Sequence, residues 1–166
     1  MTTNIHASCI VLGRAGRSFG APEETGVLFL GASGSGKSDL VLRMIELGSG
    51  LVADDRVDLY AHDGRLWGRP PANLAGLIEI RGLGIVALPY CSEAAIALVI
   101  ALGTSQDLPR LPERGTYSPP EVLGLPRKTW PPLLRLTASE SSAPAKVAAA
   151  SAAFAHALFR EGRNLT

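Results

Sequence analysis

The sequence predicts an α/β fold, and three neighbouring observations predict it. A short apolar run, Val27-Leu28-Phe29-Leu30, reads as a buried strand. Gly31-Ala32-Ser33-Gly34-Ser35-Gly36-Lys37-Ser38 follows it and completes the pattern G-x-x-x-x-G-K-[ST]. Beyond that, Leu40, Val41, Met44, Ile45 and Leu47 fall on one broad helical face, with Gly48 where a helix C-cap is expected. Strand, glycine loop and helix thus come in the order that a phosphate-binding loop requires. The glycines let the backbone curl until successive N–H groups point inward, Lys37 reaches the β and γ oxygens, and the Ser38 hydroxyl can ligate Mg²⁺. The helix that starts at Ser38 adds its positive end. A ligand-free glycine turn would match the four fixed positions in roughly one chain of this length in a few hundred, so residues 31–38 are read as a nucleoside triphosphate site.

The chain has 166 residues, 46% hydrophobic and 19% charged, which predicts one globular domain over 1–166 with no need of staples. A net charge of +1 gives no field for gathering nucleic acid or an anionic membrane, so partners must be read from sites. Cys9 and Cys91 lie in apolar stretches without metal-ligand spacing and read as buried thiols in a reducing compartment. The first residues lack a basic segment followed by an apolar core, and the longest apolar run, Ala94 to Leu102, is too short to span a bilayer, so a cytoplasmic location is expected.

In chain order, Ile5 to Leu12 reads as a first strand and Gly13 to Glu24 as a loop or short hairpin leading into the phosphate loop. After the helix, Leu51-Val52-Ala53 is a short buried strand ending in Asp54-Asp55. The alternation Val57-Asp58-Leu59 then runs towards Asp63-Gly64, a hairpin signal. Leu66 to Pro71 is a strand closed by two prolines, Leu74 to Ile80 a short helix or strand, and Arg81 to Gly84 a flexible elbow before Ile85-Val86-Ala87-Leu88. Ala95 to Leu102 is a further buried strand. From Gln106 to Pro132 many prolines and scattered charges predict an extended surface segment or flap, of the kind that closes over substrates. Ala143 to Arg160, rich in alanine, is a packing helix, with Ser139-Glu140-Ser141-Ser142 as a turn and N-cap before Pro144.

Phosphoryl transfer needs charge neutralisation by lysine and Mg²⁺, and a carboxylate that orients or deprotonates the acceptor. Asp54 and Asp55 are the leading carboxylates, because the carboxyl edge of the strand after the loop helix faces the nucleotide in an open α/β sheet. Adjacent residues on a strand point to opposite faces, so the two have different roles: one holds Mg²⁺ through water and the other meets the acceptor hydroxyl. A solvated Asp-Asp-Arg turn is the alternative, and position after the loop argues against it. Glu79 is a candidate second metal ligand, since Mg²⁺ takes one or two carboxylates plus phosphate oxygens. His6 reads by itself as an ordinary strand histidine, and Arg81 and Arg114 as candidate phosphate contacts.

Three segments together resemble the HPr kinase/phosphorylases of the bacterial phosphotransferase system. They are Gly31 to Ser38, then Leu51-Val52-Ala53-Asp54-Asp55-Arg56-Val57-Asp58-Leu59-Tyr60, then Glu79-Ile80-Arg81-Gly82-Leu83-Gly84-Ile85-Val86, the last being that family's signature region. The resemblance is close from about Ile5 to Leu88 and weak beyond. It implies a P-loop-containing domain with a mixed central sheet, similar to the nucleotide-binding domain of phosphoenolpyruvate carboxykinase, which uses ATP and Mg²⁺ to phosphorylate a serine of the carrier protein HPr. It further implies Asp55 as the base for the serine proton, Lys37 as the phosphate-binding lysine, Ser38 and Glu79 as Mg²⁺ ligands, and a functional role for His6. Arg114, in Pro112-Glu113-Arg114-Gly115, matches a family arginine. The chain is similar to a short form holding the catalytic domain alone. The resemblance also implies assembly as in the hexameric full-length members.

One departure bears on the reverse reaction. Where longer members carry a Pro-Gly-Arg-Asn type motif linked to phosphorolysis, this chain reads Ser142-Ala143-Pro144-Ala145-Lys146, so the resemblance implies kinase more directly than phosphorylase activity. The rival readings are a small-molecule kinase using the same loop with another acceptor pocket, and a catalytically silent nucleotide-binding regulator. No Asn-Lys-x-Asp segment occurs in the chain, which disfavours a GTPase switch.

Overall fold

The computed structural model describes residues 1–104, 108–110 and 113–160. Eleven strands and two α-helices carry the chain among these residues: β1 Thr2–His6, β2 Ser8–Val11, β3 Gly26–Leu30, α1 Lys37–Glu46, β4 Gly50–Ala53, β5 Arg56–His62 and β6 Arg65–Arg69, then β7 Leu77–Ile80, β8 Gly84–Ala87, β9 Ala94–Leu102, β10 Gly115–Thr116, β11 Pro132–Leu136 and α2 Ala143–His156. The sheet order is β1-β5-β6-β9-β3-β2-β4, with β11 added to β9 and β10 to β11, while β7 and β8 form a separate hairpin. β9 runs parallel to β3 and to β11, and the remaining pairs are antiparallel. The α/β class is the one the residues predict, and the mixed sheet is the one the family resemblance implies.

Side-chain alternation sorts the strands into two apolar layers. On β3, Val27 and Phe29 face α1 and α2, meeting Leu40, Val41, Met44 and Val147, while Leu28 faces the other side with Val52, Val57, Leu59 and Leu66. On β9 the alternation breaks: Ile96 belongs to the second layer and Leu98 to the first, although they are two residues apart. The register explains it. Gly26 pairs with Ile96 but Val27 with Leu98, so Ala97 is an extra residue that flips the strand's faces.

The expected single strand from Ile5 to Leu12 is two. β1 lies antiparallel on β5, whereas β2 inserts between β3 and β4. The break at Ala7 matches a break between β4 and β5 at Asp54-Asp55, and the Ala7 N–H donates to the Asp55 carbonyl at 3.2 Å, so both ribbons bend at one point. The loop from Gly13 contains a 3-10 turn to Phe19. Asp63 and Gly64 both take positive φ, 49° and 72°, as a tight hairpin requires. The uncertain stretch before Ile80 resolves into a 3-10 turn at Ala72–Leu74 and strand β7. The Arg81 elbow is the turn of the β7–β8 hairpin.

Of the segment from Gln106 to Pro132, residues 106–107 and 111–112 lie outside the described residues, and none of the described ones lines the space beside the phosphate loop, where a flap was expected. Leu123 is 8% exposed and packs with Tyr117 and Leu125 into the layer away from α1, and β10 leads to β11, a strand that the prolines concealed. α2 ends at His156 rather than Arg160. Ala157 turns left-handed at φ 52°, the Leu158 N–H closes on the Ala153 carbonyl, and the ring of Phe159 comes to 4.7 Å from that of Phe154. Ser142 takes the N-cap position with its carbonyl, which accepts the Lys146 N–H, and not with its hydroxyl. No helix of the described residues is long and apolar enough to cross a membrane.

Arg43 of α1 donates to the carbonyls of Ala138 and Glu140 beyond β11 and holds Asp39 at 3.0 Å. Ala138 in turn abuts the phosphate loop, since a Cβ on Gly36 would lie 2.9 Å from its own Cβ. Arg43→Ala is therefore expected to lower unfolding stability by about 1–3 kcal/mol, as loss of charge-assisted bonds to partly buried carbonyls does. Chemical denaturation checks this. A change within about 0.5 kcal/mol, the range of an ordinary surface substitution, would show that the clamp contributes nothing.

Candidate active site

β3 delivers the phosphate loop at its carboxyl end and α1 begins immediately after it. Gly36 takes φ 91°, a left-handed conformation that L side chains rarely adopt, and this swings the chain into the helix. Lys37, 6% exposed, folds back along the loop so that Nζ donates to the Gly31 carbonyl at 2.6 Å and the Ala32 carbonyl at 3.1 Å. Burial lowers its pKa from the ordinary lysine value, and the charges of Asp54 and Asp55 work against that shift.

The two aspartates do part company. Asp54 is 4% exposed and accepts the Ser8 hydroxyl at 2.8 Å and the Ser38 hydroxyl at 2.9 Å on both of its oxygens. Asp55 faces outward with a side chain 68% exposed, at φ 67°. A non-glycine residue at that φ is uncommon and persists only where its surroundings hold it. His6 supplies part of the hold: Nδ1 lies 3.0 Å from the Asp55 carbonyl oxygen and 3.4 Å from its Oδ1. A carbonyl only accepts, so this contact places the histidine proton on Nδ1. Nε2 is buried without a hydrogen-bond partner.

These groups meet the β7–β8 hairpin across an open cavity of about 650 Å³. Ser33, Gly34, Gly36, Lys37 and Ser38 form one wall, His6 and Asp55 stand beside them, and Glu79 and Arg81 come from the hairpin. The sequence-predicted residues Asp55, Lys37, His6, Ser38 and Glu79 are thus brought to one cavity, with Gly31, Ala32 and Ser35 in the same loop. Arg114 is not among them. Its guanidinium lies 4.3 Å from the centre of the Phe159 ring, just past α2, and it does not line the cavity. Sequence reasoning missed Asp39 and Ser8. The signal for Ser8 was present, a hydroxyl at the head of the apolar run Cys9-Ile10-Val11.

Among the described residues no three or more of His, Cys, Asp and Glu cluster as a metal site. The Ser38 hydroxyl, backed by Asp54 and faced by Glu79 across the cavity, forms an oxygen donor set short of a full cage. Such a set fits Mg²⁺, which is held by few protein ligands and completed by phosphate oxygens and water.

Comparison with known proteins adds three findings. Residues 23–108 match the family model described as the HPr Serine kinase C-terminal domain. Over 62 residues the chain is 56% identical to an HPr kinase/phosphorylase of Streptococcus thermophilus and 55% identical to one of Streptococcus pyogenes; each match spans 37% of this chain and 20% of the relative's length. The chain therefore matches about a fifth of these curated relatives. Among solved structures it superposes on the HPr(Ser) kinase/phosphatase from Coxiella burnetii with a TM-score of 0.70 and 23% identity, covering 94% of this chain and 97% of that one, a likeness of fold.

Proposed function

The chain belongs to the HPr Serine kinase C-terminal domain family, and from that premise we propose that it transfers the γ-phosphate of ATP, in the presence of Mg²⁺, to a serine of an HPr-type carrier protein. The observation that carries the proposal is the shared cavity, in which the outward carboxylate of Asp55 stands beside Lys37 and Ser38 of the phosphate loop.

In this reading the loop N–H groups and Lys37 bind the triphosphate, and the start of α1 adds its dipole. Asp55 accepts the proton of the carrier serine as its oxygen attacks the γ-phosphorus; the new O–P bond forms while the bond to the ADP oxygen breaks. Ser38 and Glu79 would hold Mg²⁺, which would supply charge neutralisation for the transferring group. His6 acts on Asp55 itself, fixing the backbone at its strained φ and presenting a donor beside Oδ1. Arg81 stands where it can contact phosphate or the acceptor. The relatives' names pair kinase with phosphorylase; the proposal concerns the forward transfer.

ADP release measured with and without an acceptor tests it. Release accelerated by the carrier protein, and not by small hydroxyl compounds, is the expected result. Acceleration by a small hydroxyl compound with none by the carrier would transfer the assignment to a small-molecule kinase.

A further inference from the structure

Ser8 is the least expected polar group near the site. It is fully buried on β2, where Cys9 and Ile10 beside it are also fully buried and apolar. A buried hydroxyl is costly unless bonded, and its bond here is the one to Asp54. The topology explains why that position matters. β2 lies between β3 and β4, with Ser8 opposite Phe29 and Cys9 opposite Ala53, so Ser8 sits between the strand that ends in the phosphate loop and the strand that ends in Asp54. Alternation puts Ser8 on the same face as Ile10, the face that packs on α1, where Ser38 lies in the first turn of the helix.

Ser8 and Ser38 therefore converge on one carboxylate from two sides. A serine hydroxyl has one proton and two lone pairs. When Ser38 gives its proton to Asp54, its lone pairs turn away from the carboxylate towards the cavity, the arrangement a cation ligand needs. That arrangement holds only while Asp54 keeps its rotamer, and the Ser8 bond at 2.8 Å pins Oδ1.

We propose that Ser8 is a positioning residue for the magnesium–nucleotide complex, acting through Asp54 to fix the proton of Ser38 away from the bound cation. The inference rests on the reading of Ser38 as a Mg²⁺ ligand. It goes beyond that reading by naming a residue that touches neither nucleotide nor metal.

Binding of a fluorescent ATP analogue to Ser8→Ala, measured with Mg²⁺ and again with excess chelator, separates the outcomes. Affinity with Mg²⁺ is expected to fall about tenfold, the scale of one hydrogen bond to a charged group, with metal-free affinity unchanged. Equal losses under both conditions, or no loss, would overturn the proposal, since a purely structural serine would not distinguish them. If Ser8→Ala does not fold, Ser8→Cys decides: a thiol of similar size but poor donor strength is expected to show the same selective loss, and full magnesium dependence would overturn the role. A wild-type chain that binds nucleotide equally with and without Mg²⁺ would overturn both this role and the reading of Ser38. Wild-type binding that depends on Mg²⁺, with no transfer to any carrier, would overturn the carrier assignment alone.

Discussion

Asp55→Asn is expected to reduce phosphoryl transfer about 10²–10⁴-fold, the contribution of a positioned general base, while leaving nucleotide affinity nearly unchanged. The geometry supports that separation. Asp55 is largely exposed and its carboxylate faces the cavity, whereas Asp54 behind it does the structural work of receiving two serine hydroxyls. Asparagine keeps the size and tolerates positive φ better than most residues, so the backbone at φ 67° should persist. Parallel measurement of nucleotide binding and transfer checks the split. Transfer at the wild-type rate would remove Asp55 from the chemistry and favour a silent nucleotide-binding regulator.

Lys37→Met is the second large effect, and here both binding and transfer should fail. Methionine retains most of the apolar stem but not the ammonium, leaving the Gly31 and Ala32 carbonyls without their donor and the charges of Asp54 and Asp55 uncompensated beside the phosphates. Burial already presses on the lysine's charge, so the site holds it through those two aspartates. Transfer is expected to fall about 10³-fold or more, on the scale of removing a charge that stabilises a transferring phosphoryl group, with weakened nucleotide binding in a fluorescence titration. Unimpaired binding would mean that the loop amides suffice without the lysine.

Much of this site was legible in one dimension because its chemistry is local. Residues 31–38 are contiguous, and the loop needs glycine at fixed offsets whatever surrounds it. Asp54 and Asp55 were legible as a pair of carboxylates after the loop helix, but strand alternation is not what separates them: the chain breaks there between β4 and β5, and Asp55 turns left-handed at φ 67°. What stayed hidden depends on contacts between distant segments. The break at Ala7 comes from its bond to the Asp55 carbonyl, nearly fifty residues away. The bulge at Ala97 arises from pairing with β3, and β11 finds its place only by lying parallel on β9. Arg114 matched a motif by sequence yet stacks on Phe159, because nothing in its own neighbourhood fixes which surface its segment covers. Glu79 was recognisable only as a carboxylate after an apolar pair; the β7–β8 hairpin is what carries it across the cavity from Ser38.

The burial of Ser8 illustrates the converse. Its residue type was in plain view, but a serine in a strand has no meaning until its partner is known, and that partner lies 46 positions further along the chain.

The most direct test of the account is to incubate the purified chain with ATP labelled on the γ-phosphate, Mg²⁺ and an HPr-type carrier, and to map the labelled residue. The account predicts label on a carrier serine, absent when Asp55→Asn replaces the wild-type chain. Nucleotide bound tightly with no label on the carrier would contradict it.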